Sequence, residues 1–220
     1  MGLFSFLKSD KPAYTDKVWK TRAVAIRGMI TEALKVITQH QVPVVFCYFE
    51  DTITEVIAFL RSTGVPHFHL TNDSIGEASG KNNVVLVCDA SLISSSSGLM
   101  GLLSTISSRG KVQFLFSGHY PLPAKENKII EKLSAYPCAE ITFCSSIDDP
   151  SFEPFGADRI IAILDQLGLK EDECIEHSMV SKAMANAREK IAGMVKQEVA
   201  AKSEGEWFLK NIKKKRGLKM

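Results

Sequence analysis

Short apolar runs alternate with amphipathic stretches along most of this chain. Pro43–Phe49 (PVVFCYF), Val84–Cys88 (VVLVC), Val112–Phe116 (VQFLF) and Glu140–Cys144 (EITFC) are rich in β-branched and aromatic residues, and most lack a polar face. Such runs predict strands covered on both sides. Pro66–Leu70 (PHFHL) predicts a shorter one. Between them the period changes. Val18, Ala25, Met29, Ala33 and Ile37 keep roughly to one face, which predicts a helix entered at Asp16 as N-cap and fading at His40 and Gln41. Ile53, Val56, Ile57 and Leu60 predict a second helix, capped by Asp51 or Thr52 and stopped at Gly64. Further helices are expected over Leu99–Ile106 and Ala124–Ala135. Strand and helix in alternation are the mark of βαβ units, so a mostly parallel sheet with helices on both faces is the expected architecture. After about Asp148 the strand pattern stops. Helices are predicted over Ala157–Leu167 and Glu176–Val199, with a helical tail towards Lys215. The chain thus divides into an N-terminal arm (1–15), an α/β lobe (16–148) and a helical C-terminal extension (149–220).

Composition narrows the function classes. The 220 residues carry a formal charge of +2, so no global field points to nucleic acid. The cysteines are Cys47, Cys88, Cys138, Cys144 and Cys174, without CxxC spacing, and read as small buried hydrophobes in a reducing compartment. No metal is expected, because no cysteine or histidine pair has ligand spacing. Met1–Leu7 is too short for the apolar core of a signal peptide, and no run approaches the roughly 20 residues of a membrane-spanning helix. A cytoplasmic location is expected. The apolar start (MGLFSFLK) and the basic end (Lys213, Lys214, Lys215, Arg216, Lys219) offer weak membrane-surface contact at most.

Catalytic motifs are sought with little return. The nearest approach to a P-loop is Gly76–Asn82 (GEASGKN). It is one residue short, has Asn82 where Ser or Thr would reach magnesium, and precedes a strand instead of following one. The segment after Val84–Cys88 lies where ligands bind in open α/β sheets. Asp89, Ser91 and Ser94 there can offer polar groups to a nucleotide, and His119 stands at the equivalent edge of Val112–Phe116. A solvated polar loop is the plainer reading of the serine run. Asp148, Asp149, Glu153 and Asp158, flanked by Pro150 and Pro154, read as a surface loop. No nucleophile elbow of the GxSxG type is present, which argues against a hydrolase.

Two segments carry a family resemblance. Phe155–Ile191 contains Phe155, Asp158, Arg159, Leu167-Gly168, Ile175-Glu176-His177, then Val180, Ser181, Lys182, Ala183, Asn186 and Ala187. This resembles the segment following the second ATPase lobe of the SecA motor. Asp16, Val18, Trp19, Lys20 and Thr21, and later Gly64-Val65-Pro66-His67, resemble the entry and first turns of that lobe. The resemblance implies a RecA-like α/β lobe with a helical appendage. It also implies that Trp19, Lys20, Thr21, Asp158, Arg159, Glu176, His177, Lys182 and Asn186 are scaffold residues of that family. The middle departs from it. Where SecA carries Gly-Arg-Gly-Thr-Asp, this chain has Asp89-Ala90-Ser91-Leu92-Ile93, and the counterpart of its arginine-rich phosphate motif, Gly118–Asn127, holds no arginine. The first ATPase lobe, with its P-loop and magnesium-site acid, is not in this sequence. The expectation is a non-catalytic, SecA-like accessory module that binds another protein and uses no cofactor, with nucleic acid not expected as partner. The alternative is the nucleotide-binding half of a split ATPase, completed by a chain that carries the P-loop.

Overall fold

In a computed structural model the described residues are 14–212, apart from 82, 111, 137–138, 151, 153–169 and 171. The elements are β1 (Thr15–Trp19), α1 (Arg22–Thr38), β2 (Val42–Cys47), α2 (Glu50–Ser62), β3 (His67–Leu70), β4 (Val85–Asp89), α3 (Leu92–Ser95), α4 (Ser97–Arg109), β5 (Val112–Ser117), α5 (Pro123–Ser134) and β6 (Glu140–Ser146). Among the described residues two helices follow, α6 (Ser178–Met194) and α7 (Glu204–Asn211).

The six strands form one sheet in the order β1-β6-β5-β2-β4-β3. Every neighbouring pair is parallel. The expected α/β class is therefore the one observed. Alternate residues of the central strands feed two cores. Val44 and Phe46 of β2 face α3, α4 and α5, whereas Val45 and Cys47 face α1 and α2. Right-handed crossovers explain the segregation. The chain moves towards β3 through α1 and α2 on one face, then back towards β1 through α4 and α5 on the other.

The predicted helix at Asp16 is corrected. Thr15–Trp19 is an edge strand, with Asp16 opposite Phe143 and Val18 opposite Ser145. Spacing of Val18 and Ala25 by seven mimics a helical period, but the helix begins only at Arg22, after Thr21 as N-cap. Trp19 lies flat on α1, where a Cβ at Gly28 would come within 2.3 Å of the indole. The helix expected to run to Val199 ends at Met194, and the tail helix spans Glu204–Asn211. The predicted helix over Ala157–Leu167 lies outside the described residues. The extension also touches the sheet edge, since Val18 and Ile175 exchange both backbone hydrogen bonds, at 3.1 and 2.7 Å.

Candidate functional site

Strands β2 and β5 are neighbours whose outgoing chains leave in opposite directions. The crevice outside their carboxyl ends is thus a topological switch point, the place where open α/β sheets bind ligands. Tyr48 and Phe49 line it after β2, Ser117, Gly118 and His119 after β5, and Ser146 and Asp149 after β6. Gly118 takes φ +82°, which lets its N–H turn back onto the Cys144 carbonyl at 2.8 Å.

Two clusters of charge flank this crevice, the first buried and the second partly open to solvent at Arg22 and Glu55. The first is built on His119. Its ring stacks on Phe143 at 4.1 Å. Nε2 lies 3.0 Å from Asp16 Oδ1 and Nδ1 lies 2.9 Å from Glu126 Oε1. Arg188 of α6 donates to Glu126 and, through Nε, to the Tyr120 carbonyl at 3.0 Å. Glu126 also accepts from the Tyr120 N–H at 2.8 Å and from the Tyr48 hydroxyl at 3.3 Å. Burial by itself would lower the His119 pKa. Glu126 and Asp16 outweigh it, against the opposing Arg188, and the imidazole is held above its usual value. Burial likewise pushes both carboxyls up, yet the His119 contacts, helped by Arg188, bring Asp16 and Glu126 below their usual range. Arg188 Nη1 also lies 3.0 Å from His119 Nδ1, so the imidazole, the guanidinium and the two carboxyls close into one mutually bonded quartet.

The second cluster is built on Arg22. Its Nε donates to Glu55 Oε2 at 2.7 Å and Nη2 to Thr52 Oγ1 at 2.8 Å, while Nη1 stands 3.9 Å from Glu204 Oε2. Asp149 accepts from Ser146 Oγ at 2.6 Å and from its N–H at 3.0 Å. Asp149, expected in a surface loop, is instead buried. The turn after β6 folds it back under Ser146. Glu204, at the start of α7, is buried beside it. Between these groups remains a cavity of about 10 Å³ lined by Arg22, Thr52, Ser146, Asp149 and Glu204, which is about the room one water needs.

The residues expected to contact nucleotide do not converge. Asp89 accepts the Ser91 N–H at 2.7 Å, forming its own turn at the end of β4. Ser91 and Ser94 are exposed, and none of the three lines the crevice that His119 lines. His119 itself is turned inward, with both ring nitrogens engaged. Of the family-matched residues, Trp19 and Lys20 are buried at the end of β1. His177 caps α6, its Nδ1 accepting the Met179 N–H at 3.2 Å. Glu176 pairs with Lys17 at 3.4 Å. Lys182 and Asn186 face solvent. Asp158 and Arg159 lie outside the described residues. Cys47, Cys88 and Cys144 are buried, and burial pushes each thiol up. Among the described residues no cluster of His, Cys, Asp or Glu could hold a metal ion, and no helix is long and apolar enough to cross a membrane.

Arg22, Glu126, Arg188 and Glu204 were not singled out from the sequence. A signal existed for two of them. Glu126 shares its face with Ile129, Ile130 and Leu133, and Arg188 shares its face with Met184, Ala187 and Ile191. A charge at an apolar-face position marks a buried partner.

No protein-family model matches the chain. Over 193 residues, 84% of its length, it is 25% identical to the protein translocase subunit SecA of Clostridium beijerinckii. This chain is related to SecA. A 51-residue stretch is 45% identical to the SecA of Desulfotalea psychrophila, and 187 residues are 23% identical to that of Desulforapulum autotrophicum. The chain spans 22% of the length of the Clostridium beijerinckii SecA. Among solved structures, the C-terminal part of the Fun30 ATPase domain overlaps with a TM-score of 0.42 at 11% identity, covering 74% of this chain and 52% of that one. Domain 2 of the DEAD-box helicase Mss116p, bound to an RNA duplex, overlaps with a TM-score of 0.40 at 12% identity, covering 80% and 70%. Overlaps this loose carry no argument about the fold, which rests on the sheet itself.

Proposed function

We propose that this chain is a non-catalytic, SecA-related accessory module that binds another protein in a pathway linked to protein translocation. The observation that carries the reading is the state of the switch-point crevice. Phosphates need space, backbone amides and positive charge. Here the space is about 10 Å³. Two carboxylates, Asp149 and Glu204, face the one guanidinium, which Glu55 already engages at 2.7 Å. A nucleotide triphosphate would bring its charge against these carboxyls in a space with room for about one water. The sequence adds no P-loop and no arginine in Gly118–Asn127, and arginine fingers are worth several orders of magnitude in phosphoryl transfer. What remains intact is a scaffold with a well-anchored appendage, and a scaffold of that kind is suited to presenting a surface to a partner.

The test is calorimetric titration of the purified chain with ATP and with ADP, each with magnesium. We expect no binding heat up to millimolar nucleotide, and copurification of a specific protein partner whose association ATP leaves unchanged. Micromolar nucleotide binding would overturn the reading and turn attention to a split ATPase.

A further inference from the structure

Exposed apolar side chains are scarce on the lobe and gathered on the C-terminal extension. Among the described residues five large ones stand open to solvent, and only Leu34, at 39%, belongs to the lobe. Met179, Met194, Val199 and Leu209 belong to the extension. A singly exposed apolar residue is ordinary. Met179 is such a case, at the far end of α6 from Met194 and about 22 Å from it at the helical rise. The other three surround one satellite core, made by Phe49, Ile191 and Trp207. Met194 precedes Val195, which packs on that core. Val199 is bracketed by Asn211, which accepts its N–H at 2.6 Å and donates to its carbonyl at 2.8 Å. Leu209 lies two residues from both Trp207 and Asn211, so at about 100° per residue it points away from the face they bury. The core beneath is already closed, with Trp207 wholly buried, and does not need the 79% exposed Leu209 to complete it.

Charge separates in the same direction. Residues 191–220 hold eight Lys or Arg against Glu198, Glu204 and Glu206, a formal +5, and the whole chain carries +2, which leaves −3 on the rest. The three glutamates do not cancel this at the surface. Glu204 is buried, and Glu198 is taken up by Tyr120, Trp207 and Lys125. Glu206 answers Lys210 at 2.7 Å, and Glu50 of α2 answers Lys202 at 3.2 Å. Lys196, between Met194 and Val199 in the chain, is exposed. The chain then leaves the described residues at Ile212, which packs on the same satellite core, and Lys213, Lys214, Lys215, Arg216 and Lys219 follow. The first of these cations is one Cα step, about 3.8 Å, beyond Ile212.

We propose that Met194, Val199 and Leu209, with Lys196 and the cations that follow Ile212, form the docking surface for a partner protein that presents an acidic amphipathic helix. This deepens the functional reading above and rests on it, by naming where the partner binds and what it carries. Apolar anchors of this kind suit the i, i+3, i+4, i+7 face of a helix, and methionine adapts to its shape. Carboxylates flanking that face would meet the cations. A bilayer is the poorer fit. Surfaces that seat in a membrane interface present Trp or Phe, and single-stranded nucleic acid stacks on exposed aromatics. Here Trp207 is buried, and Phe208 packs against it at 5.2 Å.

The probe is a fluorescent peptide of about 18 residues, long enough to be helical, with leucine at those spacings and glutamate elsewhere. It is titrated against the full chain by anisotropy, without nucleotide. Saturable binding is expected, weakened at least about tenfold in Leu209→Ser and in Met194→Ser, with the urea midpoint of each variant at the wild-type value because both positions are exposed. Binding should also fall several-fold when Lys213, Lys214 and Lys215 are changed together to Gln, or when salt is raised from about 0.05 M to about 0.5 M. Absence of binding would overturn the proposal, as would equal binding of a peptide with the same leucines scrambled, or indifference to Leu209→Ser. Binding to phosphatidylserine vesicles in place of the peptide would assign the surface to a bilayer, and self-association abolished by Leu209→Ser would assign it to a second copy of the chain. Either result would overturn the proposed occupant. A native partner that copurifies undiminished with Leu209→Ser would overturn this surface and leave the functional reading standing.

Discussion

The two charge clusters lie on either side of one crevice and differ in burial, the His119 quartet being enclosed while Arg22 and Glu55 reach solvent. The His119 quartet sets an imidazole and a guanidinium against two carboxyls, and its members share close hydrogen bonds. The Arg22 cluster sets one cation against Glu55, Asp149 and Glu204, with the last at 3.9 Å. A closed, mutually bonded set can be dehydrated at modest cost, because each charge is compensated where it lies. An open set keeps a penalty that protonation relieves. The first cluster therefore acts as a fixed joint between α6 and the sheet, whereas the second reaches α7 only through the 3.9 Å approach of Arg22 to Glu204.

The largest expected effect comes from breaking the fixed joint. Arg188→Met removes one cation from the quartet while filling most of its volume. Glu126 then keeps His119, the Tyr120 N–H and the Tyr48 hydroxyl but loses its guanidinium partner, and the Tyr120 carbonyl loses the Arg188 donor. Removing one partner of a buried pair costs about 3–5 kcal/mol, or some 10 °C in Tm for a chain of this size. The urea midpoint should fall without a change in slope. A loss below 1 kcal/mol would mean that the quartet is not the joint described here.

Next comes the pH profile of global stability. His119 is raised in the folded state, so its contribution is complete below about pH 6.5 and is lost as pH rises through the folded value. Asp16 and Glu126 are lowered, so theirs is present above about pH 4 and is lost as pH falls through their folded values. The quartet thus supports the fold best between those limits. His119→Gln should lower the urea midpoint at pH 6 and flatten its fall from pH 6.5 to 8. An undiminished slope in that variant would assign the alkaline loss elsewhere.

The strands and most helices were legible because each signal was local. PVVFCYF and VQFLF can be little but buried strands, and Gly64, with φ +68°, ends α2 where the sequence places a stop. The misreading of Thr15–Trp19 has a physical cause. An edge strand of five residues offers too short a period to outweigh the long helical face that follows, and its pairing with β6 is nonlocal. The site was harder for the same reason. His119 meets Asp16 across 103 residues of sequence and Arg188 across 69. Asp149 reads as a loop residue until the turn after β6 folds it under Ser146. Pattern recovers which residues are buried, whereas the pairing of charges is a property of the closed chain.

The smallest expected effect sharpens the comparison from the other side. Lys202 stands just before α7 and pairs with Glu50 at 3.2 Å, with both side chains largely exposed. Water screens such a pair, and exposed ion pairs are typically worth less than about 1 kcal/mol. Lys202→Ala keeps the backbone carbonyl that accepts from Asp51 and the N–H that donates to Glu206. If α7 is anchored by the buried Trp207, its hydrogen-exchange protection in Lys202→Ala should change by less than about fivefold. A larger loss would move the anchoring of α7 from Trp207 to its exposed rim.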